Sequence, residues 1–139
     1  MKVLIDTNVI LDFFINREPF ATDAEKIFSL CKLNKIKGFI SPITISNSYY
    51  ILRKLGSNKK VINNLNQLLL MTEVLSMNQT VIENALMSGF KDFEDALQYY
   101  TATNFGKIDV LITRNTKDFK HSTIAVMEPN LFLKSCFKA

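Results

Sequence analysis

The chain has 139 residues, of which 47% are hydrophobic and 22% are charged, so it has enough apolar material for a buried core and too much to be disordered. This length predicts one globular domain over 1–139. One histidine, His121, and two distant cysteines, Cys31 and Cys136, argue against disulfide frameworks, zinc fingers and multi-histidine metal sites. Any metal chemistry must therefore use oxygen ligands.

The formal net charge of +4 permits a polyanionic partner without identifying one. The apolar runs, including the first one at 3–5, are too short for a signal peptide or a transmembrane helix. We therefore expect a cytoplasmic protein with no membrane association, in which both cysteines stay reduced and act as small buried hydrophobic residues.

The spacing of apolar residues and of helix-capping residues predicts strands that alternate with helices. In chain order, these are a strand over 2–5, a helix ending before 16–19, a helix over 22–34, a strand over 38–41, a helix from residue 41 or 44 towards 56, a helix over 59–70, a strand over 72–75, a helix over 78–88 closed by Gly89, a helix over 92–104 followed by Gly106, strands over 109–113 and 123–127, and a helix after Pro129 through Phe137. Helical crossovers between strands predict a three-layer α/β/α sandwich with a central, mostly parallel sheet.

Acidic and amide side chains fall beyond the carboxyl ends of predicted strands, where open parallel sheets usually bind ligands. Asp6 ends the first strand, Asp92 and Asp95 lie in the first turn of a helix, and Asn115 and Asp118 follow a later strand. Carboxylates that converge without basic partners repel one another, which indicates a cation or raised pKa values. Magnesium or manganese suits such oxygen donors.

Each acid also has a purely structural interpretation when it is taken alone. Asp6 can cap the helix that follows it, and acids in a first helical turn complement the helix dipole. Asp92 and Asp95 are spaced so that both lie on one helix face, whereas Glu94 is expected to point elsewhere.

Four segments together carry a family resemblance: 3–12 (VLIDTNVILD), 41–50 (SPITISNSYY), 92–97 (DFEDAL) with 101–102, and 112–119 (ITRNTKDF). In order and spacing they resemble the PIN-domain family of metal-dependent ribonucleases, especially its VapC-like branch of bacterial toxins. The resemblance covers nearly the whole chain and implies a PIN-like fold.

The resemblance implies that Asp6 and Asp95 are the central metal-ligating acids. The family's second acid, usually a glutamate on the third helix, falls on Asn47, and its fourth polar position falls on Asn115. An amide oxygen binds a hard cation without adding negative charge, so the second metal should be held more weakly. The resulting prediction places catalysis on Asp6, Asp92, Asp95 and Asn115, and metal ligation on Asp6, Asn47, Asp92, Asp95 and Asp118.

The implied reaction is phosphodiester hydrolysis with one or two Mg²⁺ or Mn²⁺ ions, one activating a water and the other stabilising the leaving oxygen. Four residues are predicted to contact the RNA substrate: Thr7, Arg53, Arg114 and Lys117. For each basic residue, ordinary solvated surface charge is the alternative. Tyr49 and Tyr50 are candidates for stacking on unpaired bases, but their helical spacing beside Ile51 and Leu52 predicts that at least one of them belongs to the core.

The resemblance also implies two protein partners, a small cognate antitoxin and a second copy of the chain in a homodimer. The alternative to a toxin ribonuclease is a PIN-like module that binds RNA or protein, because Asn47 and Asn115 are neutral. Metal binding separates these two hypotheses. A receiver-like phospho-acceptor domain is disfavoured, because its acid pair and its late lysine have no suitably placed counterparts.

Overall fold

The structure is a computed structural model that describes residues 1–136. Strands and helices alternate along these residues, as the sequence predicts. Their bounds are β1 (Lys2–Ile5), α1 (Thr7–Ile15), α2 (Phe20–Lys32), β2 (Lys37–Ile40), α3 (Pro42–Arg53), α4 (Asn58–Met71), β3 (Thr72–Val74), α5 (Gln79–Leu86), α6 (Phe93–Phe105), β4 (Val110–Ile112), a 3-10 helix (Thr116–Phe119), β5 (Ala125–Met127) and α7 (Pro129–Cys136).

The five strands form one sheet in the order β3-β2-β1-β4-β5, and every neighbouring pair is parallel. β1 is central, with Leu4 opposite Phe39 of β2 on one side and Leu111 of β4 on the other. The chain builds the sheet outwards from β1 through β2 to β3 and then returns to add β4. The strand order therefore reverses between β1 and β4, which is where such sheets open a crevice for ligands.

Alternating side chains of the strands supply two separate cores. Val3, Ile5 and Ile112 belong to a cluster that includes buried residues of α1, α2, α4 and α7. Leu4 and Leu111 belong to a second cluster with buried residues of α6. Helices thus cover both faces of the sheet, and the predicted three-layer α/β/α arrangement is confirmed.

Local signals fix several helix ends. Ser41 caps α3 by accepting a hydrogen bond from the Thr44 amide, with Pro42 in the first turn. Gly106 ends α6 with φ of +76°, a conformation that glycine adopts without steric cost. Gly89 does not close α5, contrary to the prediction, because the helix already ends at Leu86 with Met87 as its C-cap. The predicted contribution of Phe137 to the last helix lies outside the described residues.

One of the predicted core residues, Cys136, differs from expectation. Cys31 is buried as predicted, and burial raises the pKa of its thiol to about 11. Cys136 is exposed, so its prediction as a buried residue is wrong; it lies in the last described turn of α7, beyond Phe132 and Leu133, which reach the core. Of the two tyrosines, Tyr49 is partly buried and packs against the core, as expected for at least one of the pair, whereas Tyr50 is 67% exposed. Within residues 1–136, no helix has the length and apolarity that a membrane span requires.

Candidate active site

Asp6 lies at the carboxyl end of β1, directly beside the crevice between β1 and β4. Its backbone amide donates to the Ile112 carbonyl at 3.0 Å, which extends the pairing of β1 with β4 by one residue. Its side chain caps α1 by accepting from the Thr7 amide at 2.7 Å. The predicted capping role is therefore present, and it places a carboxylate that is only 5% exposed at the edge of the sheet.

Neutral donors surround the Asp6 carboxylate. Oδ1 accepts from the Gln98 amide at 2.6 Å in addition to the Thr7 amide, and Oδ2 accepts from the Thr113 hydroxyl at 2.7 Å and the Asn8 amide at 3.3 Å. Hydrogen bonds of this kind satisfy the acceptor oxygens of a buried carboxylate. Both oxygens are thereby held in a fixed orientation, with no lysine or arginine of residues 1–136 in an ion pair with them.

Gln98 of α6 was not singled out in the sequence, although it is 3% exposed and forms the shortest of these contacts. Its other amide atom, Oε1, accepts from the Thr44 hydroxyl at 3.3 Å, and that hydroxyl accepts in turn from Ser41 at 3.1 Å and from Thr7 at 3.3 Å. A buried polar network therefore links β1, α3 and α6. The sequence signal for this network is a glutamine one turn beyond Asp95, on the same helix face as that acid.

Asp95 is half-buried in the first turn of α6, where Asp92 caps the helix by accepting from the amides of Glu94 and Asp95. The pKa of the Asp95 carboxyl is raised from 3.8 to about 7, first by burial and then by the negative charges of four neighbours. In order of decreasing effect, these neighbours are Asp6, Asp92, Asp118 and Glu94. Acids from three distant parts of the sequence thus meet around Asp95.

Asn47 and Glu94 meet across α3 and α6, where the Asn47 amide donates to Oε2 of Glu94 at 2.8 Å. The expectation that Glu94 points elsewhere is therefore wrong. Glu94 is exposed on the first turn of α6, and this turn faces the middle of α3. A carboxylate consequently stands beside the position where the family resemblance leads one to look for an acid.

The loop after β4 carries the remaining predicted site residues. The Thr113 hydroxyl, which donates to Asp6, also accepts from the Asn115 amide at 3.0 Å, so the loop is tied to the Asp6 carboxylate. Asn115, Lys117 and Asp118 are all exposed. The structure therefore brings Asn115 and Asp118 to the same edge of the sheet as Asp6 and Asp95.

Three of the four predicted RNA-contacting residues already have partners within the chain. The Arg114 guanidinium pairs with both oxygens of Asp12 at 2.7 and 3.0 Å, and the Thr7 hydroxyl donates to Thr44. Arg53 donates to the Gly56 carbonyl at the far end of α3. Because α3 starts at the site and is roughly 18 Å long, the structure does not bring Arg53 together with the acids.

Comparison with known proteins identifies the family. A family model of the PIN domain matches residues 2–117. The chain belongs to the PIN-domain family. This finding confirms the resemblance drawn from the four sequence segments, and the parallel sheet is the fold that the resemblance implies.

Relatives of this PIN domain extend the match over nearly the whole chain. It is 32% identical over 136 residues to the ribonuclease VapC1 of Aquifex aeolicus (strain VF5), covering 94% of this chain and 92% of that protein. A toxin-antitoxin complex from Klebsiella pneumoniae contains a chain that matches with 26% identity and a TM-score of 0.65, covering 91% of this chain and 97% of the other. A VapBC-1 structure from nontypeable Haemophilus influenzae has the same fold, with 20% identity, a TM-score of 0.69 and coverage of 94% and 99%.

The donor set of this PIN domain suits a hard divalent cation. Carboxylates converge on Asp95, and within residues 1–136 no lysine or arginine lies within ion-pair distance of Asp6 or Asp95. Over the same residues, no three histidine, cysteine or acidic side chains are grouped closely enough to share one ion. Mg²⁺ requires no such cage, because it keeps several waters and is often held by one or two carboxylates together with substrate phosphate.

Proposed function

We propose that this PIN-domain protein is a metal-dependent endoribonuclease and the toxin of a toxin-antitoxin pair that acts in the cytoplasm. The observation that carries the proposal is the acidic cluster at the sheet crevice, where burial and then the charges of four neighbouring carboxylates raise the pKa of Asp95 to about 7. A cation relieves this repulsion and would face the phosphates of a polyanionic substrate. The ribonuclease VapC1 and the toxin-antitoxin complex to which the chain is similar support the same function.

In the proposed reaction, Asp6 and Asp95 hold Mg²⁺ or Mn²⁺, which supplies an activated water and stabilises charge on phosphate oxygens when bound. Gln98 and Thr113 orient Asp6 through their hydrogen bonds. Asp92 orients the first turn of α6 and thereby Asp95.

Residues at the rim of the cluster have supporting roles in this proposal. Asn47, with the adjacent Glu94, and Asp118, beside Asn115, are the side chains available to a second ion. Lys117 is the exposed base of the loop that carries Asp118, so it is placed to attract an RNA phosphate.

The direct test is cleavage of single-stranded RNA by the purified protein with Mg²⁺ or Mn²⁺ and with EDTA. We expect cleavage by the wild type only with metal, and its loss in Asp6→Ala and Asp95→Asn. Asp109→Asn is the matched control, because Asp109 is an exposed acid at the opposite end of β4, where it accepts from the Lys2 amide. Undiminished cleavage by Asp95→Asn, or cleavage by the wild type in EDTA, would refute the proposal.

A non-catalytic RNA-binding module is the second candidate, favoured by the neutral Asn47 and by its hydrogen bond to Glu94. This candidate predicts RNA binding that neither needs nor responds to Mn²⁺, together with no cleavage under any condition. Calorimetric titration of the metal-free protein with Mn²⁺ separates the two, because the ribonuclease must bind the ion and Asp95→Asn must weaken that binding.

An antitoxin and a second copy of the chain complete the proposal. Exposed apolar side chains on α3, α4 and α5 offer surface for such contacts, including Tyr50, Leu70 and Leu86. Light scattering of the purified chain tests the homodimer. Co-purification with the product of a short neighbouring reading frame, with loss of RNA cleavage in the complex, tests the antitoxin.

A further inference from the structure

A pocket of about 420 Å³, in the volume range of small-ligand sites, opens on the side of the molecule that carries the start of α2. It lies between the start of α2 and the residues that follow β4 and β5. Its lining consists of Pro19, Phe20, Asp23, Arg114, Glu128, Pro129 and Asn130. Arg114 directly follows Thr113, whose hydroxyl donates to Asp6, so one wall of the pocket adjoins the candidate active site.

The walls of the pocket include two flat groups that are stacked and held in place. The Arg114 guanidinium lies over the Phe20 ring, 4.0 Å from its centroid. Asp12, which is 1% exposed, fixes the guanidinium by a bidentate ion pair at 2.7 and 3.0 Å, and the Asn8 side chain accepts from the Arg114 amide. Phe20 remains 39% exposed, so part of an immobilised aromatic surface is open to a ligand.

The polar groups of the pocket do not suit a phosphate. The charge of Arg114 is already balanced by Asp12, while Asp23 and Glu128 contribute carboxylates to the lining. These carboxylates accept hydrogen bonds and repel anions. A neutral planar group that carries N–H donors on its edge fits such a combination of flat apolar walls and acceptors.

We propose that this pocket is a nucleobase subsite of the ribonuclease, for the base next to the scissile phosphate. The inference rests on the proposed function. Phe20 and Arg114 provide stacking surfaces, and Asp23 and Glu128 accept from an exocyclic amino group. The pocket therefore prefers adenine, guanine or cytosine to uracil, which has one N–H flanked by two carbonyl oxygens. Asp12 is a positioning residue that acts through Arg114.

A cationic side chain of a protein partner is the competing occupant, since it would also pair with Asp23 and Glu128. Arg114 already occupies the cation–π position over Phe20, 4.0 Å from its centroid, so a second cation gains no such contact on that face. The base is favoured for that reason, and because Arg114 of the pocket lining directly follows Thr113, which contacts Asp6.

The test is the base preference of cleavage, measured by sequencing the products of a randomised single-stranded RNA in Mg²⁺. For the wild type we expect one position beside the cleavage site at which uracil is disfavoured. Phe20→Ala should lower kcat/KM for the preferred base about 5- to 150-fold, the loss expected from one base–aromatic stack, and should flatten the preference. Phe20→Trp should retain both the wild-type kcat/KM and the base preference. Glu128→Gln should admit uracil, because an amide can donate to its carbonyl oxygens.

Matched controls are Leu33→Ala, which truncates an exposed apolar residue at the far end of α2, and Glu25→Gln, which neutralises an exposed acid on α2. Both should keep the wild-type rate and preference. If Phe20→Ala does not fold, Glu128→Gln and Phe20→Trp still test the subsite.

The outcomes separate this inference from the function on which it rests. A wild type that cleaves no RNA overturns the proposed function and the subsite together. A wild type that cleaves, with a base preference that Phe20→Ala and Glu128→Gln leave unchanged, overturns the subsite alone. If those variants instead weaken only the complex with an antitoxin, the pocket belongs to a protein partner and the base assignment is wrong.

Discussion

Asp6 and Asp12 lie at the start and in the second half of the same helical segment, and both are almost completely buried, yet their charges are stabilised in opposite ways. Asp12 pairs with two arginines, Arg114 at 2.7 Å and Arg17 at 3.5 Å. Within residues 1–136, the hydrogen bonds that Asp6 accepts all come from neutral groups, and its charge adds to those that raise the pKa of Asp95.

This contrast distinguishes Asp12, whose charge is neutralised within the fold, from Asp6, whose charge is not. The Asp12 ion pair joins α1 to the loop after β4 and leaves no net charge for a ligand. The negative charge of Asp6 is oriented but not neutralised, so it remains available to a cation. A buried acid by itself therefore indicates little about function, and the identity of its partners decides which role it has.

The largest expected effect comes from removing the arginine that forms the bidentate ion pair with Asp12. Arg114→Ala leaves the Asp12 carboxylate without its bidentate partner, so we expect the free energy of unfolding to fall by about 3–5 kcal/mol in urea denaturation. Arg17→Ala should cost less than about 1 kcal/mol, because Arg17 is 44% exposed and forms the longer contact. Equal decreases in the free energy of unfolding for the two variants would contradict the conclusion that Arg114 is the main partner of Asp12.

A smaller effect is expected from removing one of the neutral groups that donate hydrogen bonds to Asp6. Gln98→Met keeps the length of the side chain and removes the 2.6 Å hydrogen bond to Asp6, which should cost about 1.5–3 kcal/mol. RNA cleavage should also fall, because Asp6 loses a group that orients it. Gln67→Met, at an exposed position on α4, is the matched control and should change stability by no more than about 0.5 kcal/mol. Unchanged stability and cleavage in Gln98→Met would show that this contact does not hold Asp6.

The two aspartates also show how far the sequence could predict this molecule. Capping at Asp6, the C-cap at Gly106 and the alternation of strands and helices depend on neighbours in sequence, and these predictions are confirmed. The contact of Gln98 with Asp6 and that of Arg114 with Asp12 join residues 92 and 102 positions apart, which no local pattern specifies.

The role predicted for Arg114 shows the physical reason for this limit. A basic residue after a strand is compatible with binding RNA, and its sequence neighbours do not reveal a buried acid on a distant helix. Asp12 itself gives one sequence signal. It interrupts the apolar face of α1, and a charge buried there requires a partner. The pattern could thus predict that a cation is needed without identifying Arg114 as that cation.

The last expected effect depends on pH and concerns the negative charge of the acidic cluster around Asp95. Because the pKa of Asp95 is raised from 3.8 to about 7 in the folded protein, the folded state holds a proton that the unfolded state has already lost between these values. The stability of the metal-free wild type should therefore fall as pH rises from about 4 to 7 and stay lower above that range.

Asp95→Asn removes the charge, so in EDTA it should melt at a higher temperature than the wild type at pH 8, with the difference vanishing near pH 4. Mg²⁺ should narrow the gap at pH 8 by stabilising the wild type, whereas Asp109→Asn should follow the wild-type curve at every pH. An Asp95→Asn variant no more stable than the wild type at pH 8 would mean that the cluster carries no uncompensated charge, and Asp6 would then be as structural as Asp12.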